Sequence, residues 1–265
     1  MTPISQGRWP LFVTGSPRSG TSIFALALRL ATKVDSYNEG HFLKIYPLLE
    51  DGVDRFYERS ARLMIDPGHA ITHIEKNTVK NEILEALFKI MNSLHGGEAW
   101  VDKSGGIDTL KFLAAAAGAG KKFFVFFMYR RAIENVYSRL EKFPQHGLRY
   151  HAQDWTATMR AWREIRPLLP ADSFMEVEQR SLVTDPAGVS AAVGASLGWS
   201  AEEEARMLQV FQNRKPQQLA SDVIGRALSM ESTGWSPEDQ AIFRECVDEE
   251  MRMWGFTYGP EYREA

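Results

Sequence analysis

The sequence contains a single cysteine, Cys246, among its 265 residues. One cysteine cannot form a disulfide within the chain, and it lies in no spacing typical of a metal site. Low cysteine usage is typical of proteins from a reducing compartment. The first ten residues also lack the apolar run of a secretory signal peptide. We therefore predict a cytoplasmic protein.

Long hydrophobic runs and a strong charge bias are absent as well. The most apolar stretch, residues 112–128, is interrupted by two glycines and two lysines, so it falls short of the roughly 20 apolar residues that span a bilayer. The net charge is -3, whereas nucleic-acid-binding proteins usually carry a basic surface. We expect neither an integral membrane segment nor a nucleic-acid partner. The 44% of apolar residues can supply the core of a single domain over residues 1–265.

A lysine is missing from the glycine-rich turn that follows the first predicted strand. Gly15 and Gly20 have the spacing of the phosphate loop G-x-x-x-x-G-K-[ST], but Thr21 occupies the lysine position. Arg18 is the only cation in the loop. Backbone N–H groups at the start of a helix can hold a phosphate without that lysine. The loop therefore predicts a phosphorylated donor other than the ATP used by kinases.

Short apolar runs alternate with helical patterns along the chain. Residues 123–129 form a continuous apolar run typical of a parallel strand covered on both faces. Alternation of this kind predicts an α/β fold with three α/β/α layers around a central, mostly parallel sheet. The other strand candidates are residues 11–14, 34–37, 99–102 and 173–177. Besides the helix after the loop, the helix candidates are residues 40–66, 78–95, 106–118, 131–142, 154–167, 185–198, 200–212 and 237–254.

Two arginines, Arg130 and Arg131, follow the central strand. Metal-dependent nucleotide triphosphatases commonly have an acidic residue at such a strand end, where it helps to hold Mg²⁺. Arginines at the carboxyl edge of a parallel sheet suit a second phosphate instead. Ser138 lies eight residues after Arg130, and on a helix it could turn its hydroxyl toward the same anion.

Three blocks of this sequence resemble the sulfotransferases that use 3′-phosphoadenosine 5′-phosphosulfate (PAPS). Residues 16–22 are similar to the 5′-phosphosulfate loop of the family, in the Pro-Arg-Ser-Gly-Thr form of bacterial members. Residues 130–138 are similar to its 3′-phosphate motif, and residues 100–104 to its Asp-Lys-Thr/Ser strand end. The resemblance implies a P-loop-like nucleotide-binding fold and transfer of a sulfuryl group to a hydroxyl or amine.

The resemblance also implies the roles of individual residues. PAPS would be the co-substrate and adenosine 3′,5′-bisphosphate (PAP) the product, and no metal would be required. Lys103 would lie beside the moving sulfuryl group, and Arg18 would act both in binding and in catalysis. The residues expected to bind the donor are Arg18, Ser19, Gly20, Thr21 and Ser22 at the 5′ end, with Arg130 and Ser138 at the 3′-phosphate.

The acceptor side is less defined by the sequence. A general base must lie within hydrogen-bond reach of the acceptor. Relatives often carry an acidic residue near this region, which makes Glu39 our candidate, although a glutamate at a helix start is common on surfaces. His41 is the alternative, since imidazole titrates near neutral pH. The acceptor could be a small molecule, a lipid or a carbohydrate, and the oligomeric state stays open.

Some residues depart from the family pattern. Gln179 and Arg180 replace a Tyr-Glu pair found in many relatives. The Arg-Lys-Gly segment that closes over the cofactor in cytosolic small-molecule members is missing. Arg214 and Lys215 are the candidates to substitute for it, although two exposed, solvated side chains are the alternative. Two further hypotheses therefore remain. The chain could be a P-loop kinase acting on a small molecule, or a nucleotide-binding relative that has lost catalysis.

Overall fold

The computed structural model describes residues 9–34, 40–214 and 227–263. Within these ranges, four strands form one sheet in the order β2-β1-β3-β4, and every pairing is parallel. The central strand β1 pairs through Phe12 with Asp102 on one side and Val125 on the other. The strands are β1 (Leu11–Gly15), β2 (Val101–Lys103), β3 (Phe124–Tyr129) and β4 (Phe174–Glu178).

Ten α-helices are present in the described ranges. Several connect successive parallel strands, as right-handed crossovers require. The helices are α1 (Thr21–Thr32), α2 (Ile45–Arg59), α3 (Lys76–His95), α4 (Ile107–Gly118), α5 (Ala132–Lys142), α6 (Leu148–Ile165), α7 (Ser181–Thr184), α8 (Pro186–Leu197), α9 (Ala201–Asn213) and α10 (Pro237–Met253).

The sheet has a buried apolar layer on each face. Alternate residues of a strand point to opposite faces, and Phe12 and Val13 accordingly belong to different clusters. The cluster around Phe12 packs against α3, α4, α5, α6 and α10. The cluster around Val13 packs against α1, α8 and α9. This arrangement confirms the predicted three-layer α/β/α fold.

The predicted elements differ from the structure mainly at their ends. The helix expected over residues 40–66 is shorter, because a 3₁₀ turn over Phe42–Lys44 precedes α2 and the helix ends at Arg59. The helix expected at residue 154 begins six residues earlier, at Leu148. The strand expected over residues 34–37 lies almost wholly outside the described residues. Apolar periodicity shows that a helix exists, but caps and tertiary contacts decide where it begins and ends.

No α-helix in the described part of the chain is long and apolar enough to cross a membrane.

Candidate active site

The glycine-rich loop runs from the end of β1 into α1. Gly15 adopts a φ of 135°, and a Cβ built there would lie 2.0 Å from the backbone oxygen of Met128 in β3. Only glycine fits so close to the neighbouring strand. The loop therefore leaves the sheet directly between β1 and β3, where open α/β folds bind their ligands.

The loop presents the N-terminus of α1 to this edge. Gly20, with a φ of 84°, precedes the first helical residue, and no side chain caps the helix. The first turn contains no acidic residue, and the hydroxyls of Thr21 and Ser22 lie there. Helix N-termini attract anions because their first N–H groups point outward and the helix dipole is positive there. This end of α1 is suited to a phosphate or sulfate group.

Arg18 connects the loop to the second predicted anchor on α5. Its Nε donates to the Ser138 hydroxyl over 3.0 Å, and Arg130 Nη1 donates to the Arg18 carbonyl over 3.4 Å. Arg18 itself adopts a left-handed conformation with a φ of 70°, which is uncommon for a residue other than glycine. The structure thus brings Arg18, Arg130 and Ser138 together at one edge of the sheet.

The two arginines lie in an environment that disfavours their charge. Burial is the main cause that lowers the pKa of Arg18, and Glu141 opposes it. Burial also lowers the pKa of Arg130, Glu134 and Tyr262 oppose this, and the smaller effects of Arg18 and Arg131 lower it further. Because guanidinium groups stay protonated in proteins, this clustering of positive charge favours the binding of an anion.

Lys103 reaches the same region from the neighbouring strand. It is the last residue of β2, and its Nζ donates to the Ser22 hydroxyl over 3.1 Å. The contact places an ammonium group beside the first turn of α1. Parallel pairing of β2 with β1 explains this, because the carboxyl ends of both strands meet at one edge of the sheet.

The side chain of Arg131 is bound within the protein, which corrects the expectation that both arginines serve a second phosphate. Its side chain is fully buried and pairs with Glu134. It also donates to the carbonyls of Thr257 and Gly259 in the C-terminal segment, and its guanidinium lies 4.5 Å from the centre of the Tyr262 ring. Arg131 is therefore a structural residue whose donors are used within the protein.

The acceptor side is described only in part. Glu39 lies outside the described residues, so its predicted role stays a prediction. Within the described ranges, the Gly40 N–H donates to the Lys103 carbonyl over 3.4 Å, and the His41 N–H donates to the Ser104 hydroxyl over 2.8 Å. His41 therefore belongs to a segment that is attached to the end of β2, close to Lys103.

A buried carboxyl group, Asp102, lies under this segment. It is 2% exposed, and a Cβ built on Gly40 would lie 1.6 Å from Asp102 Oδ2. Burial raises the pKa of Asp102, while His41, Lys44 and Lys103 act in the opposite direction. A larger residue at position 40 would therefore displace the Asp102 carboxylate.

Asn135 is a site residue that the sequence reasoning missed. Its side chain accepts a hydrogen bond from Ser16 Oγ and donates to the Pro17 carbonyl and to Ser19 Oγ, over 3.3, 2.8 and 3.1 Å. A sequence signal did exist, because Asn135 lies three residues before Ser138 and such residues share a helix face. Asn135 therefore fixes the loop from the same helix that carries Ser138.

Two of the residues that depart from the family pattern, Gln179 and Arg180, follow β4. Gln179 follows β4 and contacts the loop, since a Cβ on Gly20 would lie 3.2 Å from its Cγ. The guanidinium of Arg180 lies 4.7 Å from the centre of the Tyr262 ring. Arg214 follows α9 and is exposed, and Lys215 lies outside the described residues.

The sequence profile of the sulfotransferase family matches residues 10–203. The chain belongs to the sulfotransferase family. This match covers the loop, the end of β2 and the Arg130 to Ser138 anchor of the sulfotransferase. Membership indicates transfer of a sulfonate group as the general reaction. A search of curated protein sequences found no significant match.

Solved sulfotransferase structures share the fold of this sulfotransferase at low sequence identity. STF9 from Mycobacterium avium has a TM-score of 0.56 and 14% identity, with 98% of this chain and 80% of that chain covered. The sulfotransferase domain of the Synechococcus PCC 7002 olefin synthase has a TM-score of 0.51 and 17% identity, covering 94% and 98%. Mouse SULT7A1, solved in complex with PAP, has a TM-score of 0.50 and 11% identity, covering 93% and 86%.

Proposed function

We propose that this sulfotransferase moves a sulfuryl group from PAPS to a hydroxyl or amine acceptor without a metal. The observation that carries the proposal is the hydrogen bond from Arg18 Nε to Ser138 Oγ, 3.0 Å long. It joins the loop at the N-terminus of α1 to α5, the helix that begins two residues after Arg130. PAPS carries an anionic group at each end of its ribose, and the two cationic anchors suit such a donor.

The reaction is an in-line displacement at sulfur. The acceptor oxygen or nitrogen forms a bond to sulfur while the bond from sulfur to the 5′-phosphate oxygen breaks, and PAP leaves with that electron pair. Ser19, Gly20, Thr21 and Ser22 would hold the 5′-phosphate at the helix N-terminus. Lys103 would stabilise the negative charge that develops on the bridging oxygen. Fixed cations of this kind stabilise transition states strongly because they need little reorganisation.

The acceptor loses a proton to a general base. Glu39 is the proposed base and His41 the alternative. The backbone N–H groups of Gly40 and His41 donate hydrogen bonds to Lys103 and Ser104, and these bonds support a position of His41 near the transferred group. The apolar 3₁₀ turn and the start of α2 follow directly, and Phe42 and Ile45 are partly exposed there. This surface would contact a small-molecule, lipid or carbohydrate acceptor.

PAP is expected to raise the melting temperature of the protein in the absence of Mg²⁺. A ligand that binds only the folded state raises the free energy of unfolding, and the increase grows with the logarithm of the ligand concentration relative to its Kd. Replacing Arg130 by alanine should weaken PAP binding by about 10- to 100-fold, because hydrogen bonds to charged groups contribute roughly 1.5–3 kcal/mol. Replacing Ser138 by alanine should have a smaller effect. Differential scanning fluorimetry and titration calorimetry measure both effects.

Two alternatives make different predictions in the same assays. A kinase would be stabilised by MgATP and would show phosphoryl transfer, and PAP would give no shift. Stabilisation by MgATP alone would therefore contradict the proposal. A relative that has lost catalysis would bind PAP but would transfer no label from ³⁵S-PAPS to any acceptor in a cell extract. The labelled extract would also identify the acceptor.

The two candidate bases are distinguished by substitution. We expect Glu39→Gln to lower kcat by about 10²- to 10⁴-fold, the range usual for general bases, while the affinity for PAP stays unchanged. Under this assignment His41→Gln has a much smaller effect. The reverse result, a large loss for His41→Gln with a nearly normal Glu39→Gln enzyme, assigns the role to His41.

A further inference from the structure

A buried polar network lies behind the glycine-rich loop. It consists of four side chains: Ser16 in the loop, Asn135 and Arg139 on α5, and His151 on α6. All four are at most 4% exposed. Buried polar groups are costly unless they are hydrogen-bonded, so a group of four behind one loop needs a physical reason.

The network holds the loop from two sides. Ser16 Oγ donates to Asn135 Oδ1 over 3.3 Å and accepts from Arg139 Nη1 over 3.5 Å. The amide of Asn135 also donates to the Pro17 carbonyl and to Ser19 Oγ. Asn135 thus contacts three of the five residues between β1 and α1. This segment includes Arg18, whose left-handed conformation needs support from its surroundings.

Arg139 is in turn held by α6. Its Nε donates to His151 Nδ1 over 3.2 Å, and its Nη2 lies 2.7 Å from Asp154 Oδ2. Since Nδ1 accepts this hydrogen bond, the ring proton belongs on Nε2, which lies 3.1 Å from the Phe143 carbonyl. The neutral imidazole therefore accepts the hydrogen bond from Arg139 and donates one to the Phe143 carbonyl. A protonated ring would direct an N–H toward the N–H of Arg139.

We propose that Asn135, Arg139 and His151 are positioning residues that hold the loop in its anion-binding conformation, and that this support requires a neutral His151. The inference rests on the proposed function, because the anion it concerns is the 5′-phosphate end of PAPS. These residues act through their hydrogen bonds to the loop and do not touch the donor. They make the affinity of the site for PAP sensitive to pH.

The surroundings of His151 agree with this requirement. Burial lowers its pKa, and Arg139 and His146 lower it further, while the Phe143 carbonyl and Asp154 raise it. Tyr150 also faces the ring, with the two ring centres 5.5 Å apart. The neutral form therefore predominates near pH 7. Acidification below the ordinary pKa of histidine, about 6.5, progressively protonates the ring and weakens the support of the loop.

The first test is the affinity for PAP, measured by titration calorimetry at pH 7.5. Asn135→Ala removes three hydrogen bonds to the loop and is expected to weaken PAP binding by about tenfold or more. The matched control is Thr156→Val, which removes a partly buried hydrogen bond, 2.9 Å long, from α6 to the Cys246 carbonyl in α10 and touches no residue of the loop. The control should lose stability but keep its affinity for PAP.

The second test is the pH dependence of that affinity. The phosphates of PAP themselves titrate near pH 6, so the wild-type protein is compared with His151→Gln at each pH. Glutamine can accept from Arg139 and donate to Phe143, but it does not titrate. We expect similar affinities at pH 8, and a wild-type affinity lower than that of the variant by about threefold or more at pH 5.5.

The outcomes separate this inference from the proposed function. If wild-type protein does not bind PAP at all, the proposed function fails. If wild-type protein binds PAP but Asn135→Ala binds equally well, or if wild-type and His151→Gln proteins show the same pH dependence, the positioning role is wrong. Should Asn135→Ala fail to fold, the comparison with His151→Gln still decides the question.

Discussion

Replacement of Lys103 by alanine is expected to lower kcat by about 10²- to 10³-fold, the loss usual when one preorganised group that stabilises developing charge is removed. The ammonium group lies at the end of β2, 3.1 Å from the Ser22 hydroxyl in the first turn of α1. In the proposed reaction it acts on charge that appears only as the bond to sulfur breaks. The affinity for PAP should therefore change much less than kcat.

The measurement is the steady-state rate of ³⁵S transfer at saturating PAPS, together with the affinity for PAP. Lys89→Ala provides the control, because Lys89 is an exposed residue of α3 outside the proposed site, and its kcat should be normal. Lys103→Arg keeps the charge but changes the geometry and should recover part of the activity. An unchanged kcat in the Lys103→Ala enzyme would show that this strand end does not take part in catalysis.

Replacement of Glu134 by alanine is expected to destabilise the protein by about 3–5 kcal/mol, the cost of leaving one member of a buried ion pair uncompensated. The pair joins Glu134 to Arg131, whose side chain is fully buried. Glu134 Oε1 also accepts from the Leu228 N–H over 2.9 Å. The substitution thus removes the charge partner of Arg131 and a contact to the C-terminal part of the chain.

Urea unfolding followed by circular dichroism gives the change in the free energy of unfolding. The matched control is Glu245→Ala, which removes the exposed ion pair with Arg149, 2.9 Å long and with side chains 65% and 47% exposed. Exposed pairs contribute about 0–1 kcal/mol. If both variants lost the same free energy of unfolding, the buried pair of Arg131 and Glu134 would contribute no more to stability than an exposed pair.

Local sequence was a good guide to the loop and a poorer guide to the arginines. The spacing of Gly15 and Gly20 predicts a turn between a strand and a helix, and the structure shows β1, the loop and α1 in that order. Arg130 and Arg131 are adjacent in the sequence and looked equivalent. Arg130 lies by the loop, whereas Arg131 pairs with Glu134 and the C-terminal segment. Adjacent side chains at a strand end point in different directions, and only the packed surroundings decide which one stays available for a ligand.

The buried network behind the loop was less accessible to sequence reasoning. Asn135 and Arg139 share a face of α5 with Ser138, but their partners are Ser16, more than a hundred positions earlier, and His151 on the next helix. No local pattern indicates such contacts. They depend on the parallel pairing of β1 with β3, which places α5 against the loop.

The sequence by itself determined the class of this protein. Its apolar periodicity predicted a three-layer α/β fold, the absence of a lysine after Gly20 argued against a kinase-type loop, and the resemblance of three sequence blocks indicated the sulfotransferase family. These signals are local, because turn geometry and strand patterning depend on neighbouring residues. Tertiary structure alone decided that Arg18 bonds to Ser138, that Lys103 reaches Ser22 and that Arg131 is buried. Those contacts join distant segments, and the packing of helices on a parallel sheet sets their distances.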